Sequence, residues 1–367
     1  MKLMTRWRNI AAAASLLLAA GGAAAQPARA TAAIPAAVPA SALPAADAFF
    51  TTPALGETRA LIVLKDGKPI YERYAPGYGP GTRLISWSMA KSITSTLIGF
   101  LVADGRLELD TPAPVPEWRK DARAKITLRQ LLHMASGVKH VEVGPAPEKS
   151  DTNRALFADT SADIYKAAVA EPAAVPPGTR FEYNTLTTHI LARIVADAIA
   201  PGAKPEARKR AVRAFINDRL AKPAGMASLL CEFDPAGNLY GGSLCHATAR
   251  DWAAFGQLYL DGGVVAGVQV VRPDWVRFVR TPSPTNAGYG GQFWLNVKPF
   301  DGTDQDLFWR AGPADAYAAI GHLGQYVIMV PSRRLVVVRL GKTQDDGLQP
   351  VRDGLARLVN GFPAVSK

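Results

Sequence analysis

Ser88 and Lys91 stand three residues apart in Ser86-Trp87-Ser88-Met89-Ala90-Lys91-Ser92-Ile93-Thr94, at the head of an apolar run. Ile93, Leu97, Ile98 and Leu101 follow at helical spacing, so the segment reads as a buried helix. Residues three apart on a helix are neighbours, which lets the hydroxyl meet the amine. The positive end of the helix dipole favours a developing alkoxide there. A lysine beside an apolar core loses hydration, and its pKa falls toward the range where it accepts a proton. Together these features describe an activated serine. The plainer reading is a helix cap with a lysine reaching out to solvent.

Spacing alone does not decide between them. Ser136-Gly137-Val138-Lys139 repeats the pattern, but it follows the helix ending Leu131-Leu132-His133-Met134, and Gly137 suits a helix end. That copy is read as structural. A second candidate element is Pro177-Gly178-Thr179-Arg180-Phe181-Glu182-Tyr183-Asn184-Thr185, a turn leading into a helix with Ile190, Leu191, Ile194 and Val195. Near Lys91, Tyr183 would have a stabilised phenolate and could serve as general acid and base; alone, it would be an ordinary core tyrosine.

Other chemistry is absent from the sequence. His140-Val141-Glu142 looks like half of a deaminase site, without the Pro-Cys-x-x-Cys half. There is no G-x-S-x-G elbow, P-loop, H-E-x-x-H or EF-hand loop. The five histidines are dispersed, so neither metal nor organic cofactor is implied.

The elements that must position Ser88, Lys91 and Tyr183 are legible in outline. Ala60–Leu64 and Pro69–Tyr74 flank an Asp-Gly turn and predict a hairpin. Thr127 to Gln130 and Thr248 to Asp251 have capping-box spacing before apolar helical runs. Strands are expected again at Phe293–Val297, Ala316–Ile320, Tyr326–Val330 and Leu335–Leu340, then a helix from about Leu348 to Val359. The expected fold class is α/β (α+β): an antiparallel sheet of N- and C-terminal strands flanked by helices, plus a mainly helical lobe. The cleft should lie where sheet and lobe meet.

The chain has 367 residues, 48% of them hydrophobic and 20% charged, a composition that builds a large core. Lys2, Arg6 and Arg8 precede an apolar run from Ile10 to Ala20 and the small residues Ala23 to Ala25, the order of a secretory signal. Residues 1–25 are therefore expected to be removed on export to the periplasm or beyond, with no stable membrane anchor. Cleavage would lower the net charge from +11 to +8. The basic residues are scattered, which gives no nucleic-acid footprint. Residues 26–48 are rich in Ala and Pro and read as a tether before a single domain over 49–367. Cys231 and Cys245 flank a turn-like segment and either form one disulfide or stay as two buried thiols.

Several segments together resemble the serine β-lactamase-like superfamily. They are "SWSMAKS", "ITLRQLLHMASGV", "PGTRFEYNT", "FINDRLAKPAGM", "GGSLCHATARDWAAFGQLYLDGG" and "GHLGQYVIMVPSRRLVVV". The resemblance spans about residues 55 to 362. It leans to the class C and penicillin-binding-protein-like branch, and within it to 6-aminohexanoate-dimer hydrolase-like enzymes. It implies Ser88 as nucleophile, Lys91 as its proton acceptor and Tyr183 as acid/base, acting through an acyl-enzyme on a small amide or ester. The Ser88 N–H would form half of an oxyanion hole, with the other half from a strand amide near Gly321-His322.

Two departures bear on substrate. Thr185 stands where the class C pattern has asparagine. The third box is either Ala319-Ile320-Gly321 or His322-Leu323-Gly324, so Thr185, Gly321, His322 and Gly324 are the candidate oxyanion and substrate residues. Lys342-Thr343-Gln344 lacks the glycine and follows the last strand. The departures argue for an amide or ester hydrolase over a D-Ala-D-Ala peptidase or weak class C-type β-lactamase. A non-catalytic binding protein on the same scaffold is the remaining alternative.

Overall fold

The computed structural model describes residues 38–297, 309, 311–344 and 347–365. The signal sequence expected over residues 1–25 lies outside them. Strands β1 (Glu57–Lys65) and β2 (Lys68–Tyr74) form the first hairpin. Asp66 and Gly67 at its tip both have positive φ, 50° and 74°, the conformation a tight two-residue hairpin turn requires. Three short strands, β3 (Leu84–Ile85), β4 (Leu230–Cys231) and β5 (Cys245–Ala247), make a small sheet, and β6 (Val264–Val265) pairs with β7 (Val268–Gln269). The C-terminal set is β8 (Trp294–Leu295), β9 (Tyr317–Gly321), β10 (Gln325–Val330) and β11 (Leu335–Lys342).

The chain ends meet in one antiparallel sheet of order β2-β1-β11-β10-β9-β8, in which β1 pairs along its length with β11. Period-two alternation explains why both its faces are covered. In β11, Val336, Val338 and Leu340 enter one apolar cluster while Leu335 and Val337 enter the other; β1 splits Ile62 and Leu64 from Leu61 and Val63 in the same way. The larger cluster packs helices Ala90–Ala103, Thr185–Ile199 and Ala249–Leu260 against the sheet, and the smaller one packs helices Leu43–Thr51 and Leu348–Asn360 on the opposite face. This is the mixed fold expected from the sequence. No described helix is long and apolar enough to cross a membrane.

The tether read over residues 26–48 extends too far. Its last part belongs to the helix Leu43–Thr51, and Ala42, Ala46 and Phe49 are buried against the C-terminal helix. Alanine is small enough for close packing here: a Cβ on Gly361 would come within 2.7 Å of the Ala42 Cβ. Composition cannot separate an alanine-rich tether from an alanine-rich packing face. The second Ser-x-x-Lys is structural in geometry. Gly137 has φ 73°, a Cβ there would strike the Val175 carbonyl at 2.3 Å, and Lys139 is exposed.

Two histidines in the helical layer tie stability to pH. His133 is stacked on Phe278, and His189 lies edge-on to Tyr240; their ring nitrogens have no hydrogen-bond partner among the described residues. Burial, aided by nearby positive charge (Arg129 for His133, Lys91 for His189), lowers their pKa values to about 4 and about 3. Both lie below the ordinary unfolded value of about 6.5, so the unfolded chain takes up protons first. Stability should be complete above about pH 6.5 and fall as pH drops toward the folded values. His133 alone should cost roughly 3 kcal/mol across that window. Urea midpoints measured from pH 7.5 to 4.5 should fall steadily, and less steeply in His133→Phe.

Candidate active site

The turn carrying Ser88 is fixed from behind. Pairing of Leu84 with Ala247 and Ile85 with His246 delivers the chain to Ser86, whose N–H donates to the Cys245 carbonyl at 2.7 Å. The buried Ser86 hydroxyl accepts from the Cys245 N–H at 3.1 Å and reaches the Ser243 carbonyl at 3.1 Å. Ser92 is likewise committed, donating to the Gln292 carbonyl at 2.8 Å. Ser88 is partly exposed between them. Trp87, just before it, has φ 44°, a strained left-handed conformation for a residue with a bulky side chain. The chain then makes one 3₁₀ turn (Trp87–Met89) and enters the helix Ala90–Ala103. The Ser88 N–H therefore sits in a first turn, where no intrahelical acceptor exists.

Lys91 is buried directly below. Its Nζ lies 3.1 Å from Ser88 Oγ, 2.7 Å from Thr185 Oγ1 and 2.9 Å from the Gly242 carbonyl oxygen. Burial pulls its pKa down to about 8, against the opposing pull of Glu142. Gly242 must be glycine for this approach, because a Cβ would lie 2.8 Å from Thr185 Cγ2. Cys231 and Cys245, joined as a disulfide with Cα atoms 4.0 Å apart, close the loop that carries the Gly242 and Ser243 carbonyls.

Asn184 caps the helix Thr185–Ile199 by accepting from the Thr187 N–H at 2.8 Å, and this cap places Tyr183 and Thr185 on either side of Lys91. The Tyr183 ring centre is 4.8 Å from Lys91 Nζ, and the ring packs beside Tyr289 and Trp294. The expected phenolate is not favoured. Burial raises the Tyr183 pKa and the Glu142 charge raises it further, while a hydrogen bond with Ser88 opposes them, so the group stays a phenol at neutral pH. Thr185 is fully buried, its hydroxyl turned to Lys91 and to Glu142 Oε1 at 2.6 Å rather than to the cleft.

Glu142, which in the sequence stood only in an incomplete deaminase pattern, is joined in the structure to Thr185. Its carboxylate accepts from the Thr185 N–H at 2.9 Å and from Thr152 Oγ1 at 3.0 Å, and contacts His140 Nε2 at 2.6 Å. Desolvation pushes its pKa up, but the His140 hydrogen bond and the charge of Lys91 prevail, and the carboxyl is held at about 2. Glu142 lies 43 residues from Thr185 in the chain, so no local spacing could reveal the pair.

The strand β9 borders the site. Gly321 passes so close to the serine turn that a Cβ there would sit 2.1 Å from the Ser86 carbonyl oxygen. Gly321 pairs with Gln325, so Ala319-Ile320-Gly321 occupies the strand, and His322-Leu323-Gly324 forms the β9–β10 turn with positive φ at Leu323 and Gly324. Gly324 faces away toward buried Arg339, which donates to its carbonyl at 2.8 Å. Lys342 pairs opposite Glu57 at the end of β11. The His322 ring lies 5.5 Å from Trp87, and Trp87 meets Phe157, which is 62% exposed. Among the described residues, no cluster of His, Cys, Asp and Glu could hold a metal ion.

A protein-family model described as Beta-lactamase matches residues 57–360. The chain belongs to the beta-lactamase family. Within it, the chain is 27% identical over 303 residues to a 6-aminohexanoate-dimer hydrolase of Paenarthrobacter ureafaciens, covering 78% of this chain and 73% of that protein. The fold resembles that of a candidate 6-aminohexanoate-dimer hydrolase from Bacillus anthracis, with TM-score 0.68, 24% identity, and 86% and 82% of the two chains covered. It also resembles a family VIII carboxylesterase, with TM-score 0.60, 16% identity, and 88% and 96% covered. Ser88, Lys91 and Tyr183 of this beta-lactamase-family chain are contributed by a turn, a helix and the residue before a helix cap, which the packing brings to one point.

Proposed function

We propose that the protein is an exported serine hydrolase of class C type that cleaves a small amide or ester through an acyl-enzyme on Ser88. The observation that carries this reading is the buried Lys91 amine, 3.1 Å from Ser88 Oγ and with its pKa lowered to about 8. Lys91 takes the Ser88 proton as Oγ attacks the substrate carbonyl, and the N–H groups of Ser88 and His322 hold the oxyanion. Tyr183, kept as a phenol, protonates the departing nitrogen or oxygen. Water then enters; the Tyr183 phenolate takes its proton as it attacks the ester, and Lys91 returns its proton to Ser88. Nothing but water is consumed, and the product is a carboxylic acid plus an amine or alcohol.

The substrate in this reading is uncharged near the scissile bond. Ala319-Ile320-Gly321 stands where the family resemblance places a cation, and Trp87, Phe157 and His322 give the entrance an aromatic rim. The family's hydrolase and carboxylesterase members support the reaction class. Export rests on the order of charged, apolar and small residues in positions 1–25.

The test is turnover of p-nitrophenyl esters of increasing acyl length, linear amides of 6-aminohexanoate and nitrocefin, by the parent and by Ser88→Ala. Ester and amide cleavage should exceed nitrocefin cleavage, and all of it should vanish in Ser88→Ala. Undiminished turnover by that variant would overturn the proposal.

A further inference from the structure

The three contacts of Lys91 have a direction that follows from counting protons. Glu142 is held ionised and so only accepts. Thr185 has one hydroxyl proton, and Glu142 Oε1 at 2.6 Å is where it goes. Thr185 Oγ1 can then only accept from Lys91, at 2.7 Å, and the Gly242 carbonyl can only accept, at 2.9 Å. A neutral amine has two N–H groups, and both are taken. Its lone pair is left facing Ser88 Oγ at 3.1 Å.

After proton transfer the same geometry serves the product. The ammonium has three N–H groups: two keep their partners, and the third points at the Ser88 oxygen. Neither state leaves a buried donor unmatched, so the transfer needs no rearrangement of its surroundings. Every other polarity of the Thr185 hydroxyl fails. Were it to donate to Lys91, it would claim the lone pair that Ser88 needs and leave Glu142 without its proton.

We infer that Thr185, oriented by Glu142, is a positioning residue that makes Lys91 a one-directional acceptor for the Ser88 proton. Glu142 is itself anchored, by the Thr185 N–H, by Thr152 and by His140, while the Val141 N–H donates to Asp151 Oδ2 at 2.8 Å. The titratable groups around the Lys91 amine are Glu142 through Thr185, the Tyr183 phenol beside it and His189 one turn along the Thr185 helix; His140 and Asp151 lie behind Glu142. Of these, Glu142 is the anion nearest in the chain of hydrogen bonds. It therefore has two effects that separate experimentally: it fixes the Thr185 hydroxyl, and its charge favours the ammonium. The inference rests on the serine hydrolase reading above.

The experiment measures kcat/KM for a p-nitrophenyl ester from pH 5 to 10, together with the rate of Ser88 modification by a fluorophosphonate. Thr185→Val removes the hydroxyl at nearly constant shape and should slow both rates about 100-fold, the lower range for loss of a general base. Thr185→Ser restores the hydroxyl and should stay within about threefold of the parent on that scale. Glu142→Gln removes the charge and should move the acid limb of the profile to lower pH by about one unit. Circular dichroism and thermal melting report whether each variant folds; if Thr185→Val does not, the Glu142→Gln limb decides.

Parent-like rates and limb in Thr185→Val would overturn the inference, as would a Thr185→Ser enzyme as slow as the valine variant. An unmoved limb in Glu142→Gln would do the same. Failure of the underlying reading looks different: the parent itself would not be modified at Ser88.

Discussion

Lys91→Ala should lower kcat/KM for a p-nitrophenyl ester about 10³-fold or more, within the range general-base loss produces. Lys91 is the only basic group in contact with the Ser88 hydroxyl among the described residues, and its distance of 3.1 Å is within hydrogen-bond reach. The parent should be inactive at low pH and rise to a plateau above about pH 8, because burial lowers the Lys91 pKa to about 8 and only the neutral amine accepts a proton. In Lys91→Ala that limb should disappear along with the rate. The substitution also strips the donor from Thr185 and Gly242, at a cost of about 1–3 kcal/mol for a buried acceptor left unmatched. Lys91→Met, which keeps the volume, should be equally inactive and nearer the parent in melting temperature. A Lys91→Met enzyme with the parent's rate and pH limb would place the base elsewhere.

Tyr183→Phe should separate amides from activated esters. An amine leaves as a neutral species only after its nitrogen is protonated, and the Tyr183 phenol is the group kept charged-neutral for that step. p-Nitrophenolate departs as an anion and needs no proton. Amide hydrolysis should therefore fall about 10²–10³-fold in Tyr183→Phe, while release of p-nitrophenolate from the first turnover falls tenfold or less. With an amide, the phenolate left by that protonation is also the acceptor for water's proton in deacylation, so both half-reactions should slow in the variant. The side chain packs against Tyr289 and Trp294, contacts that phenylalanine keeps. Equal losses on both substrate classes would remove Tyr183 from the proton path.

The fold was readable where local rules fix it. Asp66-Gly67, the Thr127 capping box and the continuous apolar run Leu335–Val338 of β11 each carry their own signal, and each lies where it was expected. Pairing of β1 with β11 across most of the chain followed from strands at both ends, a matter of topology and not of any single residue. The tether boundary failed because alanine serves both flexible segments and close helix packing. At the site, helix context and ordered motifs singled out Ser88, Lys91 and Tyr183. Thr185 was noticed as a departure, but its direction could not be seen: the missing asparagine suggested the substrate side, whereas its hydroxyl faces Lys91 and Glu142. Glu142 was met only in an incomplete deaminase pattern, and its part here, like that of the Gly242 carbonyl, was invisible for a simpler reason. Their roles depend on loops that meet only in three dimensions, and a carbonyl oxygen carries no residue type at all.

The most direct measurement is intact-mass spectrometry of the parent after exposure to a fluorophosphonate, with peptide mapping of the adduct. One adduct per chain, on Ser88, is the expected result, with none on Ser86, Ser92 or Ser136 and none in Ser88→Ala. An unmodified parent, or an adduct that persists in Ser88→Ala, would contradict the assignment of Ser88 as the nucleophile.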